Sequence, residues 1–407
     1  MNKKNWFFRK NNDTQNKQNS IPLSSVNKLD IPLTIGVVTI VLFGLVMIYS
    51  ASSYVAYNNY GNAFYYVFKQ IFGAIVGFAG LLFFAYFDYK RLMKFRYIAL
   101  IISFVLLIIV LIPGIGVENY GARRWIQLPF MTLQSSEIAK FGLIIFAAGY
   151  MSKNTTKMST IQGILPILVA STGICFLILL EPNMSITICI VMLTILLLFV
   201  GGVKIRYFIV LAIPIISLIP ILIILEPYRL NRLVAFLNPW ANPLDEGFQL
   251  IQSLYALGSG GFFGLGLFNS RQKFLFLPFA ESDFIFSIIG EELGWFGCIL
   301  ILSLYGFIII RAIKIAMRAT DRFGAYLAAG IAGIIAIQVL INVAVVTGSI
   351  PPTGLPLPFI SHGGSSLMVF LSSIGILQNI HRQSHISIKF VEKSFVKHNF
   401  LKKLSSE

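Results

Sequence analysis

The chain has 407 residues, of which 57% are hydrophobic and 12% charged, with a formal net charge of +16 and a mean hydropathy of +0.80. A soluble domain carries about 25% charged residues, so a water-soluble globule is excluded and lipid must solvate most of the surface. The basic residues fall in short clusters between apolar runs rather than in a stripe interleaved with aromatics, which argues against nucleic acid as a partner.

The amino-terminal segment, 1–30, is polar and basic and is expected to be a cytoplasmic tail. The first apolar run, 31–52, is too long for a signal-peptide core and no cleavage site follows it, so it should remain as an anchor. A helix needs about 20 apolar residues to cross the hydrocarbon. Segments near 31–52, 65–87, 95–112, 135–151, 162–181, 183–200, 207–225, 283–310, 323–349 and 364–381 qualify. The expected fold class is therefore an all-α integral membrane protein of about ten transmembrane helices over 31–382, followed by a second tail at 383–407. Both tails read as solvated, with an attraction to anionic headgroups. Cys175, Cys189 and Cys298 all lie inside apolar runs and read as small buried hydrophobes, not as disulfide or zinc ligands.

Charge sets the orientation. Lys3, Lys4, Arg9, Lys10, Lys17 and Lys28 occupy the first tail, and further clusters follow at Lys90–Arg96, Lys153–Lys157, Lys204–Arg206, Arg311–Arg322 and Arg382–Lys403. The alternate connections hold only Arg123, Arg124, Arg229, Arg232, Arg271 and Lys273. Cytoplasmic loops are enriched in Lys and Arg, so both termini should be cytoplasmic. The unusual sequence then lies outside, in connections 113–134 and 226–282, both rich in Gly, Pro and aromatics. The second is long enough to expect short helices at the membrane surface rather than a free loop.

Along the chain, Lys69 and Lys140 are cations within predicted spans, where an ionisable residue is a functional candidate by default. Arg123, Arg124 and Trp125 of Gly121-Ala-Arg-Arg-Trp125 stand on the outer side against the charge trend; arginine forks match phosphate oxygens, and headgroup anchoring is the other reading. Glu137 and Lys140 are three apart, so they share a helix face and can pair, either to close the bundle or to line a cavity for an anionic substrate. Arg229 and Arg232 open the large connection on one helical face. The run Gly258–Gly266 lacks the strand and helix of a nucleotide-binding unit, and that function is rejected. Asp283 stands where the eighth span begins, near Arg271, Lys273 and Glu281, with Glu291 and Glu292 two turns on. It reads either as a helix cap or as a general base near cations and low-dielectric walls. Gly354–Ser366, with its prolines and glycines, cannot be regular helix, and irregular backbone at membrane depth lines a cavity or is buried in protein.

Taken together, GARRW, EIAK (137–140), EPYRLNRL (226–233), NPW (238–240), GFQLIQSLYALGSGG (247–261), SRQKF (270–274), SDFIF (282–286), EELG (291–294) and GLPLPFISHGGSS (354–366) resemble the SEDS family, with SRQK similar to the FtsW/SpoVE branch. The resemblance implies a ten-helix bundle that polymerises lipid II into glycan on the outer face of the bacterial cytoplasmic membrane, in cell division or sporulation. It implies a class B penicillin-binding protein as transpeptidase partner, other divisome-type membrane proteins as neighbours, and lipid II and the growing strand as ligands. The family's essential aspartate falls on Asp283. Arg123, Arg124, Trp125, Glu137, Lys140, Arg229, Arg232, Gln249, Arg271, Lys273, Glu281, His362, Ser365 and Ser366 would be substrate-binding. No organic cofactor is implied; a divalent cation (Mg or Mn) bridging pyrophosphate and carboxylate is compatible with the scheme, although no ligand cluster is visible. The chain departs from the family pattern at Asn183, Ser135, Phe279 and His362. Lipid II flipping without polymerisation, and a non-catalytic scaffold activating a partner synthase, are the alternative functions.

Overall fold

The computed structural model describes residues 29–119, 122–128, 132–213, 227–245 and 247–404, with side chains at 227–229 and 385–404 outside the description. The helices are α1 (Ile31–Tyr60), α2 (Tyr65–Tyr86), the short α3 (Lys90–Lys94), α4 (Arg96–Leu111), α5 (Ser135–Lys153), α6 (Ile161–Leu180), α7 (Met184–Val200) and α8 (205–213). After them come α9 (Pro227–Leu237), α10 (Phe248–Ser259), α11 (Ile285–Arg318), α12 (Arg322–Val346) and α13 (Gly364–Leu404).

Among the described residues, α1, α2, α6, α11 and α12 are long and apolar enough to cross a membrane, and α4 and α7 are shorter apolar helices. Their outer faces present large apolar side chains, such as Ile101, Val169 and Leu340, while Gln338, Asn342, Glu137 and Lys140 are buried. That inversion is what lipid as solvent requires.

Several boundaries differ from the sequence expectation. α1 runs to Tyr60, well past 52, because nothing stops it before Gly61, whose left-handed φ of 68° ends the helix. Its start is fixed by Asp30, which accepts from the Leu33 N–H at 3.0 Å. α13 continues to Leu404 rather than ending near 381, since 382–404 contains neither Gly nor Pro to break it. The predicted span 207–225 coincides with α8 as far as 213, and the rest lies outside the described residues. Connection 113–134 is not all loop: β1 (Gly116–Asn119), β2 (Ala122–Gln127) and β3 (Thr132–Gln134) form an antiparallel sheet in the order β1-β2-β3.

The eighth predicted span begins two residues late and is broken. α11 starts at Ile285, leaving Asp283 in the preceding turn, and at Gly294 the backbone leaves helix (φ 67°, ψ −164°). The glycine-rich segment after α10 occupies the break. Leu265 N–H donates to the Glu291 carbonyl (2.9 Å) and Gly266 N–H to that of Glu292 (3.0 Å). In turn Trp295 N–H and Phe296 N–H donate to the carbonyls of Gly261 (3.0 Å) and Phe262 (3.1 Å). The backbone groups freed by the kink are thus satisfied inside the protein. A Cβ on Gly264 would stand 2.1 Å from the Glu292 carbonyl oxygen, so glycine is required there by close approach, not by any nucleotide.

Candidate active site

The connections α1–α2, β1–β3, α6–α7, α9–α11 and α12–α13 meet at one end of the bundle, where they are stitched by side chain to backbone bonds. Ser361 Oγ donates to the Ser282 carbonyl (2.6 Å) and accepts from Leu357 N–H (2.7 Å). Asn342 Nδ2 of α12 donates both to the Asp283 carbonyl (2.8 Å) and to that of Leu355 (2.7 Å). Gln70 of α2 donates to the Ser361 carbonyl (3.1 Å) and accepts from Gly363 N–H (3.1 Å). The irregular 354–363 segment and the 278–284 turn are therefore held against each other, which fixes the Asp283 backbone.

The Asp283 carboxyl is half-buried and accepts from Ser282 Oγ at 3.1 Å. Gly354, at φ 65°, passes so close that a Cβ there would sit 3.0 Å from Asp283 Oδ2. Burial raises the carboxyl's pKa, and the Ser282 hydroxyl and the charges of Arg232 and Arg124 draw it back down. Two carbonyl clamps orient those arginines. Arg232 Nη1 donates to the Pro352 carbonyl (3.0 Å), and Arg124 donates through Nε to that of Glu181 (3.1 Å) and through Nη2 to that of Pro182 (2.5 Å). Glu181 is itself buried; desolvation pushes its pKa to about 8, against the Ser135 hydrogen bond and the Arg124 charge. Arg124 thus stands near both carboxyls and Arg232 near Asp283, and these four groups make up the candidate pocket.

The remaining sequence candidates divide. Arg123 precedes Arg124 on β2, so alternation sends it to the other face, where it pairs with Glu118 at 2.9 Å. Trp125 is half-buried and stands opposite Gln134 of β3. The Arg229 side chain lies outside the described residues. Gln249 of α10 donates to the Pro278 carbonyl (3.2 Å) and so braces the Asp283 turn. Arg271 is exposed, with its N–H donating to Glu291 Oε1 (2.9 Å). Lys273 is turned away into a buried triad, its Nζ 3.2 Å from Glu292 Oε1 and 3.3 Å from Ser50 Oγ of α1. Lys140 and Glu137 do pair, at 2.7 Å and with both side chains fully buried. Gln338 accepts from Lys140 (2.9 Å) and Ser366 donates to Glu137 (3.3 Å), so this pair ties α5 to α12 and α13 rather than facing open space. Ser365 Oγ accepts from Gln134 N–H at 3.3 Å.

Glu281 and His362 lie beside the Asp283 turn. His362 N–H donates to the Glu281 carbonyl (2.9 Å), and its ring meets the Tyr66 ring edge-on at 5.0 Å. Burial and then the Asp283 charge raise the Glu281 pKa, against a backbone hydrogen bond that lowers it. Burial, with the charge of Lys69, depresses the His362 imidazole to about 4. The unfolded chain takes up this proton near pH 6.5. His362 therefore contributes stability that is present above pH 6.5 and lost as pH falls from there through about 4. Thermal unfolding in detergent should show that acid loss in the wild type and a flatter profile over the same window in His362→Gln.

Sequence reasoning missed Glu181, Gln70, Asn342, Ser361 and Tyr66. Gln70 and Asn342 carried a usable signal, being amides inside apolar runs where polar groups are costly. Among the described residues no three His, Cys, Asp or Glu side chains converge as metal ligands.

The fold and the pocket define a polytopic membrane protein with a carboxylate–arginine site at one end of its helix bundle. The pattern of the cell cycle protein family FtsW/RodA/SpoVE matches residues 32–386, and the chain belongs to that family. It is similar to the probable peptidoglycan glycosyltransferase FtsW of Trichlorobacter lovleyi, at 42% identity over 86% of this chain and 92% of that protein. It is also similar to stage V sporulation protein E of Bacillus subtilis, at 40% identity over 87% of this chain and 97% of that one. Among solved structures, a chain of a peptidoglycan synthase complex described for its structural coordination of polymerization and crosslinking matches with a TM-score of 0.73 at 27% identity, over 88% of this chain and 98% of that chain.

Two of the departures from the family pattern have local accounts. Asn183 caps α7, accepting from Ile186 N–H at 3.3 Å. Ser135 donates to Glu181 Oε1 at 3.2 Å, a bond that proline at this position could not make. Phe279 adopts φ 55° in the Asp283 turn, for which nothing in the structure gives a reason.

Proposed function

We propose that this chain is a peptidoglycan glycosyltransferase that polymerises lipid II. The observation that carries the reading is the half-buried Asp283 carboxyl, which accepts from Ser282 on a backbone held by Asn342 and is flanked by the clamped Arg124 and Arg232. In the proposed reaction the 4-hydroxyl of the acceptor sugar attacks the anomeric carbon of the donor. The new C–O bond forms as the bond to pyrophosphate breaks, and the hydroxyl proton passes to Asp283. Arg124 and Arg232 stand where negative charge develops on the leaving pyrophosphate; guanidinium forks suit its oxygens, and prior orientation makes their stabilisation effective in the transition state. Arg229 and Arg271 are the further candidate cations for the pyrophosphates.

The lipid tail would remain in the bilayer while the headgroup enters the pocket. The basic clusters support ten crossings of the bacterial cytoplasmic membrane, with both termini inside and the site outside. The relatives' names support work in cell division or sporulation, and the synthase-complex neighbour supports a penicillin-binding transpeptidase as partner.

The test is reconstitution with purified lipid II, with and without the partner, beside Asp283→Ala. Glycan from the wild type and none from the variant is the expected result. Lipid II crossing the liposome membrane with no glycan in any combination would replace polymerisation by flipping, and activity retained by Asp283→Ala would remove the residue from the mechanism.

A further inference from the structure

One polar feature of the apolar spans is not absorbed by the pocket. Lys69, in the first turns of α2, is exposed, and its Nζ donates to Tyr65 Oη at 2.6 Å while lying 4.3 Å from the centre of that ring. Tyr65 does not stand alone. Its ring stacks on Tyr60 at 3.8 Å and meets Tyr66 edge-on at 5.3 Å, and Tyr60 meets Tyr66 edge-on at 6.0 Å. Tyr66 in turn reaches His362, whose N–H is bonded to the Glu281 carbonyl two residues before Asp283. A continuous line of rings therefore runs from the rim of the α1–α2 turn to the catalytic turn.

Aromatic residues at a membrane interface are commonly anchors, each presenting its face to lipid headgroups. Here the rings pack on one another, one pair stacked and three pairs edge-on, and the line ends at the active site. Tyr60 remains 51% exposed at its outer end. The chemistry of such a line suits a pyranose. One face of the sugar ring is a set of C–H bonds that packs on an aromatic face, and its rim carries hydroxyls that phenols and an ammonium can bond. The uncharged amide and hydroxyl groups of an aminosugar place no demand for desolvating a paired charge.

We propose that Tyr60, Tyr65, Tyr66 and Lys69 form a saccharide subsite that holds the glycan strand beside Asp283. The proposal rests on the polymerase reading and adds the place where the strand lies. A strand held there stays with the enzyme between additions, so product length should report the subsite. His362 closes its inner end, and its buried Nδ1 has no hydrogen-bond partner among the described residues.

The experiment compares glycan length made by reconstituted wild type, Tyr60→Ala and Tyr60→Trp. Tyr60 closes α1 at an exposed position, so neither substitution opens the core. Mean strand length should fall by about 3- to 10-fold in Tyr60→Ala, the scale of one aromatic contact, and recover in Tyr60→Trp, which restores a stacking face. Wild-type length in Tyr60→Ala, or equal shortening in both variants, would overturn the subsite. If the wild type makes no glycan, the polymerase reading fails separately, and binding of a lipid-free β-1,4-linked aminosugar oligosaccharide to the full chain in detergent decides. Binding by wild type and Tyr60→Trp with loss in Tyr60→Ala upholds the subsite; no binding by the wild type, or equal binding by all three, overturns it.

Discussion

Replacing Asp283 by asparagine is expected to lower the rate of glycan formation by about 10²- to 10⁴-fold, the usual worth of a positioned general base. Asparagine keeps the shape of the side chain and leaves the Asn342 bond to the Asp283 carbonyl untouched, so the protein should assemble as the wild type does. On the proposed mechanism, what is lost is the basic carboxylate that would take the acceptor sugar's proton, since an amide oxygen accepts hydrogen bonds but is not a base. The pH profile adds a second reading of the same group. A base must be ionised to act, and burial raises this carboxyl's pKa above the ordinary aspartate value. The acid limb of kcat/KM should accordingly lie at higher pH than an ordinary aspartate would give, with activity gained as pH rises through that pKa and lost as it falls. Arg232 is one of the charges that draw the pKa down. In Arg232→Gln the acid limb should move to still higher pH, and the maximum rate should fall as the leaving pyrophosphate loses a cation. An Asp283→Asn variant within 10-fold of wild type, or an acid limb unmoved by Arg232→Gln, would remove the base role.

Glu292→Ala is expected to destabilise the protein by about 3–5 kcal/mol, the cost of leaving a buried charge without its partner. Glu292 is fully buried in the first half of α11. Its Oε1 lies 3.2 Å from Lys273 Nζ and accepts from Ser50 Oγ (2.5 Å) and Ser270 N–H (3.2 Å), while Oε2 accepts from Phe268 N–H (3.0 Å). One carboxylate therefore joins α1, the loop before the Asp283 turn and the broken helix. Glu291 beside it takes the Ser270 hydroxyl and two further backbone N–H groups of the same loop. Truncating Glu292 strands the Lys273 ammonium and two backbone donors. The expected observation is a lowered unfolding temperature in detergent together with loss of glycan synthesis. The double variant Glu292→Ala/Lys273→Ala should recover part of the stability, because no unpaired charge remains. A single variant that melts like the wild type would show that the carboxylate is not the anchor.

These two residues show how far sequence reading reached. Asp283 was legible as a candidate because a carboxylate at a helix start, beside cations and next to a long connection rich in Gly, Pro and aromatics, is unusual in a chain this apolar. Glu292 was legible as an intramembrane acid, but its task was not. The three-residue spacing of Glu137 and Lys140 places them on one helix face, and that local geometry alone was enough to pair them. Membrane class, the positions of most helices and the set of polar segments followed in the same way from composition and from run lengths.

Tertiary structure decided matters that depend on partners distant in the chain. Arg123 and Arg124 are equivalent in a motif, and the strand conformation of β2 sends only Arg124 toward Glu181 and Asp283. Lys273, ten residues before Asp283, belongs instead to Glu292 and Ser50, because the loop folds back into the break at Gly294. Glu181, Gln70 and Asn342 joined the site through contacts across the bundle. The sequence by itself determined what lipid and local helix geometry impose residue by residue; the pocket was left to the packing of connections far apart in the chain, since a hydrogen bond across the bundle has no periodicity for the sequence to display.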